Sequence, residues 1–294
     1  MASVQRWRVG DVEISKIVES QAPMMQPFVV YPTLTEEILA RHRGWLAPRT
    51  LEASSGLLIL AIHSFVIKTK RRTILVDACV GNDKTRIHKS YLHMKSYPYL
   101  DNLAAAGFKP AEIDFVLCTH LHADHVGWNT RLIDGRWVPT FPNARYLFTK
   151  LEWEHWSNAE KRALYTTDGY YEDSILPVME SGQTELVAMD YAFDDEVWLE
   201  PSPGHTPGHV CVRVRSGNAD AVMIGDMMHT ELQVAEPQLS TCFCVDFEQS
   251  ARTRRAFLES AADRPTLVMP AHFPSPTAGR VKSAGGSFRF RFDE

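Results

Sequence analysis

The side chains best suited to chemistry lie in Cys118-Thr-His-Leu-His-Ala-Asp-His-Val-Gly127, where His120, His122, Asp124 and His125 fall within six positions. Imidazoles and carboxylates are costly to bury unless they are hydrogen-bonded or hold a metal. Packing alone is therefore a poor account of four of them together. The apolar run before them, Phe115-Val-Leu-Cys118, reads as a buried strand. A period-2 strand end would throw His120 and His122 to one side, and a turn would bring Asp124 and His125 back toward the same space. Two adjacent metal sites explain this spacing better than a structural role does.

Further candidates follow in the second half. Pro201-Ser-Pro-Gly-His-Thr-Pro-Gly-His209 holds His205 between two turns, and rigid turn residues suit a side chain that must point one way. His209 reads as orienting that loop. Asp226 closes the strand-like Ala221-Val-Met-Ile-Gly225, and His272 ends Thr266-Leu-Val-Met-Pro-Ala-His272.

The segment Thr119-His-Leu-His-Ala-Asp-His125 resembles the His-x-His-x-Asp-His signature of the metallo-β-lactamase superfamily, and Gly204-His-Thr-Pro-Gly208 resembles a second segment of it. The resemblance spans residues 57 to 272, and no position of its seven-ligand pattern is missing. It implies that His120, His122 and His205 hold one metal, that Asp124, His125 and His272 hold the other, and that Asp226 bridges. It also implies a supporting, hydrogen-bonding role for Asp77. A ligand set without thiolate suits Zn²⁺ and tolerates Fe, Mn or Co. Two such metals about 3.5–4 Å apart can share a hydroxide and stabilise both attacking and leaving oxygens. The expected activity is thus hydrolysis by a metal-bridging hydroxide, with Asp124 also placed to hold it.

The pattern is most similar to the lactonase and organophosphate hydrolase-like branch. It implies opening of a lactone or cleavage of a related ester, with a phosphotriester as the alternative substrate. A glyoxalase II-like thioester hydrolase and a redox enzyme on the same fold carry less weight. Arg280, Lys282, Arg289 and Arg291 keep the former open, whereas His122 and the complete second site disfavour the latter. Acyl-homoserine lactonases of the superfamily carry a tyrosine three residues after the bridging aspartate, and here that position is His229. His229 is expected to reach the substrate and polarise or protonate it, the alternative being that it packs or faces solvent.

The elements that must position these groups form an α/β pattern, and the implied fold is a four-layer αββα sandwich. We expect one domain over residues 1–294, with a covering segment at 1–55, a di-metal core at 56–272 and a tail at 273–294. Strands are expected at Val12–Val18, Leu57–Ala61, Ser64–Thr69 and Thr73–Asp77, with a helix around Leu100–Phe108. Leu132-Ile-Asp-Gly-Arg-Trp137 is a hairpin signal. Residues 83–97 look like an irregular, flexible loop, residues 150–182 like two helices, and Glu248–Ala262 like a helix. Met24, Met25, Phe28 and Trp45 are candidate walls of a pocket for an apolar or aromatic small molecule. The alternating tail Ser287-Phe-Arg-Phe-Arg-Phe292 suits an edge strand or a homodimer contact.

Bulk composition excludes several classes. A net charge of −5 argues against nucleic-acid binding. No apolar run approaches the ~20 residues of a membrane span, and the N-terminus lacks the pattern of a secretory signal. Cys79, Cys118, Cys211, Cys242 and Cys244 are odd in number and lack Cys-x-x-Cys spacing, which fits a reduced cytoplasm.

Overall fold

The computed structural model describes residues 4–165 and 168–293. The chain divides into two compact units. One comprises the residues up to Ser20 with Ile62–Tyr191, the other Gln21–Ala61 with the residues from Ala192 onward.

The first unit is built on most of a seven-stranded sheet. Its strands are β1 (Arg6–Val9), β2 (Val12–Met25), β3 (Leu58–Lys68), β4 (Thr73–Val76), β5 (Phe115–Leu117), β8 (Arg145–Thr149) and β9 (Thr184–Val187), in that order across the sheet. Between β5 and β8, β6 (Thr130–Ile133) and β7 (Arg136–Pro139) form a separate hairpin. Its turn is Asp134-Gly135, both in the left-handed region, as the Asp-Gly signal requires. β4, β5, β8 and β9 pair in parallel, and β4, β5 and β8 show the near-continuous burial of parallel strands, whereas β9 at the sheet edge exposes Glu185.

Several expectations change here. The two short strands expected at 57–61 and 64–69 are one, β3, because Ile62-His63-Ser64 holds no glycine or proline and all three residues are buried along the strand. β2 runs to Met25 instead of stopping at Val18, burying Ser15, Lys16 and Glu19 and exposing Gln21, Ala22 and Pro23. Residues 150–182 fold as shorter pieces: helices Lys150–Trp156, Ala159–Arg162 and Leu176–Glu180, and a π-type turn at Tyr171–Ile175. Asn158 starts a new helix by capping Lys161 N, and Pro177 sits in the first turn of the last one. The 83–97 loop is pinned where a flexible one was expected. Lys84 and Arg86 are fully buried, Arg86 grips Asp173 through both nitrogens at 2.6 and 2.9 Å, and Lys84 donates to Thr130 Oγ1 at 2.6 Å.

The second unit carries a six-stranded sheet ordered β10 (Val197–Pro201), β11 (Val210–Ser216), β12 (Ala219–Met223), β13 (Leu267–Met269), β14 (Gly279–Ala284) and β15 (Ser287–Phe292). β15 is the edge strand that its alternation suggests, with Phe288, Phe290 and Phe292 against the core. The helix Phe247–Ala261 starts at Asp246, whose side chain accepts from Gln249 N, and buries Leu258 and Ala261. Residues 27–60 form their own core with Leu232 and Leu239, built on Tyr31, Leu39, Leu46 and Leu51. Met24, Met25 and Trp45 pack against this core, and Phe28 stays exposed. Among the described residues, no helix is long and apolar enough to cross a membrane.

Candidate metal centre

In the first unit β5 ends at Leu117, so the histidine cluster follows the strand and is not part of it. His120 and His122 converge through a loop, not through strand period: His122 stands at the N-cap position of the short helix Ala123–Val126 without a side-chain capping bond, and the two rings lie 4.6 Å apart. His125 brings its ring to 4.1 Å from that of His120. Asp124 is part-exposed, its side chain 26% accessible and 3.9 Å from His125 Nε2.

Three buried carboxylates hold this cluster. Asp77, after β4, accepts from Thr119 N at 2.7 Å and from Thr119 Oγ1 at 3.0 Å, and its Oδ2 lies 2.9 Å from His125 Nδ1. Its φ of 60° is a conformation that Asp and Asn tolerate better than most residues. Glu152 accepts from Leu121 N at 3.0 Å and Trp156 Nε1 at 2.8 Å. Glu19, on β2, accepts from Val80 N, Gly81 N and Trp128 Nε1. Glu19 and Glu152 carried no local signal, because each lies in an ordinary amphipathic segment far from the cluster in sequence. The two loops then lie directly on one another: Gly127 N donates to Cys79 O at 2.8 Å and Trp128 N to Ala78 O at 2.6 Å. A Cβ at Gly127 would stand 1.8 Å from Val80 O, so only glycine fits. His155 is buried and packs its ring 4.7 Å from that of Trp156.

In the second unit Asp226 is the hub. Its Oδ2 lies 3.2 Å from His205 Nε2 and 3.1 Å from His229 Nε2, and its Oδ1 lies 2.9 Å from His272 Nε2. All four groups are buried. Asp226 sits in a turn after β12, with Gly225 at φ 47°, and its backbone N–H donates to His209 Nε2 at 3.0 Å. Ser202 Oγ pairs with the other nitrogen of His209 at 2.7 Å, so His209 orients the loop and the turn together. His229 does not face solvent. It is 2% exposed, and its ring stacks on His272 at 5.3 Å.

Without a metal, these imidazoles respond to burial and to Asp226. Burial works against a charged His205, yet the carboxylate of Asp226 outweighs it and lifts the pKa to about 9. Burial dominates at His229 and pushes it down to about 4, with Asp226 opposing and His205 and His272 adding to the depression.

The donor set fits divalent metals. A ligating imidazole must leave one nitrogen free while the other is held by a partner. His272 Nδ1 is held by Ala61 O at 2.9 Å, His205 Nδ1 by Cys244 Sγ at 3.5 Å and His120 Nδ1 by Thr119 Oγ1 at 3.2 Å. His125 Nδ1 faces Asp77. In each case the nitrogen that could ligate is Nε2, which at His205 and His272 lies 3.2 and 2.9 Å from Asp226. Within the second unit Asp226, His229 and His272 offer ligand atoms within 4.8 Å of one another, a group that could hold a metal ion.

Residues 59–272 match the Metallo-beta-lactamase superfamily, nearly three-quarters of the chain. The chain belongs to the metallo-beta-lactamase superfamily. An N-acyl homoserine lactonase of Bacillus cereus is 24% identical over 182 residues, which cover 58% of this chain and 64% of that protein. The match thus spans less than two-thirds of that relative. Among solved structures of the superfamily, hydrolase AbOPH shares 22% identity at a TM-score of 0.82, over 100% of this chain and 99% of its own. AidC, a dizinc quorum-quenching lactonase in complex with the product N-hexnoyl-L-homoserine, shares 20% identity at a TM-score of 0.78, over 99% and 97%. Both likenesses show the metallo-beta-lactamase fold for this superfamily member, and metal-dependent hydrolases recur among its relatives.

Proposed function

We propose that the protein is a di-metal hydrolase that opens a lactone or cleaves a related ester. The observation that carries this reading is the common orientation of the ligand histidines: Nδ1 of His120, His205 and His272 is engaged by a hydrogen bond and that of His125 lies 2.9 Å from Asp77, which makes Nε2 the ligating nitrogen of each. In this reading His120, His122 and His205 hold one divalent metal, Asp124, His125 and His272 hold the second, and Asp226 is shared, with both units serving one catalytic domain. Bound metals of this kind would supply an ionised water near neutral pH and charge stabilisation for the substrate oxygen. Zinc suits the donors, and a dizinc lactonase stands among the structural neighbours.

The chain's own residues do the rest. Asp124, the most accessible of the ligand carboxylates, is placed to orient the attacking water. His229 replaces the lactonase tyrosine in sequence, and burial keeps it neutral. It is proposed to donate a hydrogen bond to the substrate oxygen. Its removal is expected to lower kcat/KM by on the order of 100-fold, as for a lost acid–base group. A change within twofold for His229→Ala, with metal content preserved, would leave it a packing residue.

The test of the function is metal analysis beside turnover of a panel containing a small lactone, an aryl ester and a phosphotriester. Two equivalents of divalent metal with lactone or ester turnover are expected. Phosphotriester turnover alone would move the substrate class, and one equivalent of iron without hydrolysis would overturn the reading.

A further inference from the structure

The second unit contains a cavity of about 750 Å³ that none of the eight residues proposed above lines. Its apolar walls include Trp45, Phe290 and Phe292, and two arginines enter it, each with its guanidinium carbon over one of those rings. The Arg49 guanidinium lies 4.2 Å from the Phe292 ring centre, and that of Arg289 lies 4.2 Å from the Trp45 ring. A guanidinium held over an aromatic ring keeps its N–H fork available to recognise a carboxylate.

Arg289 is placed against electrostatic resistance. It stands directly opposite Lys282 in the β14–β15 ladder, and Arg291 stands opposite Arg280. Like charges directly opposite are unfavourable in a sheet. Arg280 and Lys282 are relieved by Asp293 and Asp263. Among the described residues no carboxylate lies within ion-pair distance of Arg289, and its Nη1 is buried without a hydrogen-bond partner. A buried donor of this kind calls for an acceptor. Glu231, the one acid on the cavity wall, already accepts from Thr50 Oγ1 and lies in the field of Arg49. One guanidinium charge is left uncompensated.

We propose that this cavity binds a small-molecule monocarboxylate with an apolar or aromatic body, its head on Arg289 and its body against Trp45 and Phe290. The single net positive charge favours a monoanion over a phosphate dianion, and the volume falls within the range of small-molecule sites.

The experiment is calorimetric titration of the full chain with 4-phenylbutyrate and with its neutral amide, in the metal-loaded and the metal-stripped protein. The acid is expected to bind at least about tenfold tighter than the amide, as a charge-assisted pair at one arginine would give. Metal removal should leave that affinity unchanged, Arg289→Gln should abolish the preference, and Lys282→Gln should keep it. Inorganic phosphate should not displace the acid. The proposal falls if acid and amide bind alike or neither binds, or if Arg289→Gln retains the preference. It also falls if Lys282→Gln loses as much, if phosphate competes, or if binding disappears with the metal. The last result would place the acid on the metal centre and leave the hydrolase reading standing.

Discussion

Asp77→Asn tests the positioning argument most directly. Asparagine is nearly isosteric and tolerates the φ of 60° at this site, so the backbone has no reason to move. Its Oδ1 can still accept from Thr119 N, where Asp77 does so at 2.7 Å. The amide NH₂ would replace the oxygen that lies 2.9 Å from His125 Nδ1 and 3.0 Å from Thr119 Oγ1. A donor there opposes an Nδ1–H and drives the imidazole to the tautomer that carries its proton on Nε2. That nitrogen then has no lone pair to offer a metal. Outer partners of ligand histidines are worth about 10–100-fold in metal affinity, or roughly 1.4–2.7 kcal/mol at 1.36 kcal/mol per decade. The assay is competition for zinc against a chromophoric chelator, beside urea unfolding of the metal-free protein. The second arm separates the metal effect from the loss of a buried acceptor, which itself costs about 1–3 kcal/mol. Zinc affinity within twofold of wild type would refute the claim that Asp77 sets the tautomer of His125.

Other perturbations probe the remaining parts. Gly127→Ala drives a Cβ to 1.8 Å from Val80 O, so the loops must part; kcat/KM is expected to fall on the order of 100-fold, as for a misplacement of about 1 Å, and a rate near wild type would show that the loops yield freely. Cys244→Ala removes the acceptor at His205 Nδ1 and should weaken metal binding by roughly 2–10-fold, the worth of one neutral hydrogen bond, with Cys244→Ser restoring most of it; equal affinity in all three proteins would show that Cys244 only fills space. Chelation should lower Tm by on the order of 10 °C, since a ligand at about 1,000 times its Kd contributes about 4 kcal/mol; an unchanged Tm would mean that the folded chain holds no metal.

The sequence determined the ligand types and their local groupings. Four donors within six residues and a histidine locked among prolines and glycines are chemical statements that survive any packing, because a side chain's donor atoms are fixed by its type. The Asp-Gly hairpin and the alternating edge strand β15 were legible for the same local reason. What the sequence left open depends on contacts far apart along the chain. Whether β3 breaks at His63 is decided by its neighbours in the ladder, and the 83–97 loop is pinned by Asp173, nearly ninety residues away. Only the tertiary structure could name the groups that choose each imidazole's tautomer. Ala61 serves His272 across 211 residues, Cys244 serves His205 across 39, and Asp77 reaches His125 from another strand end. Such a pairing is specified by where two atoms meet, and in this chain folding alone brings those pairs within 3.5 Å.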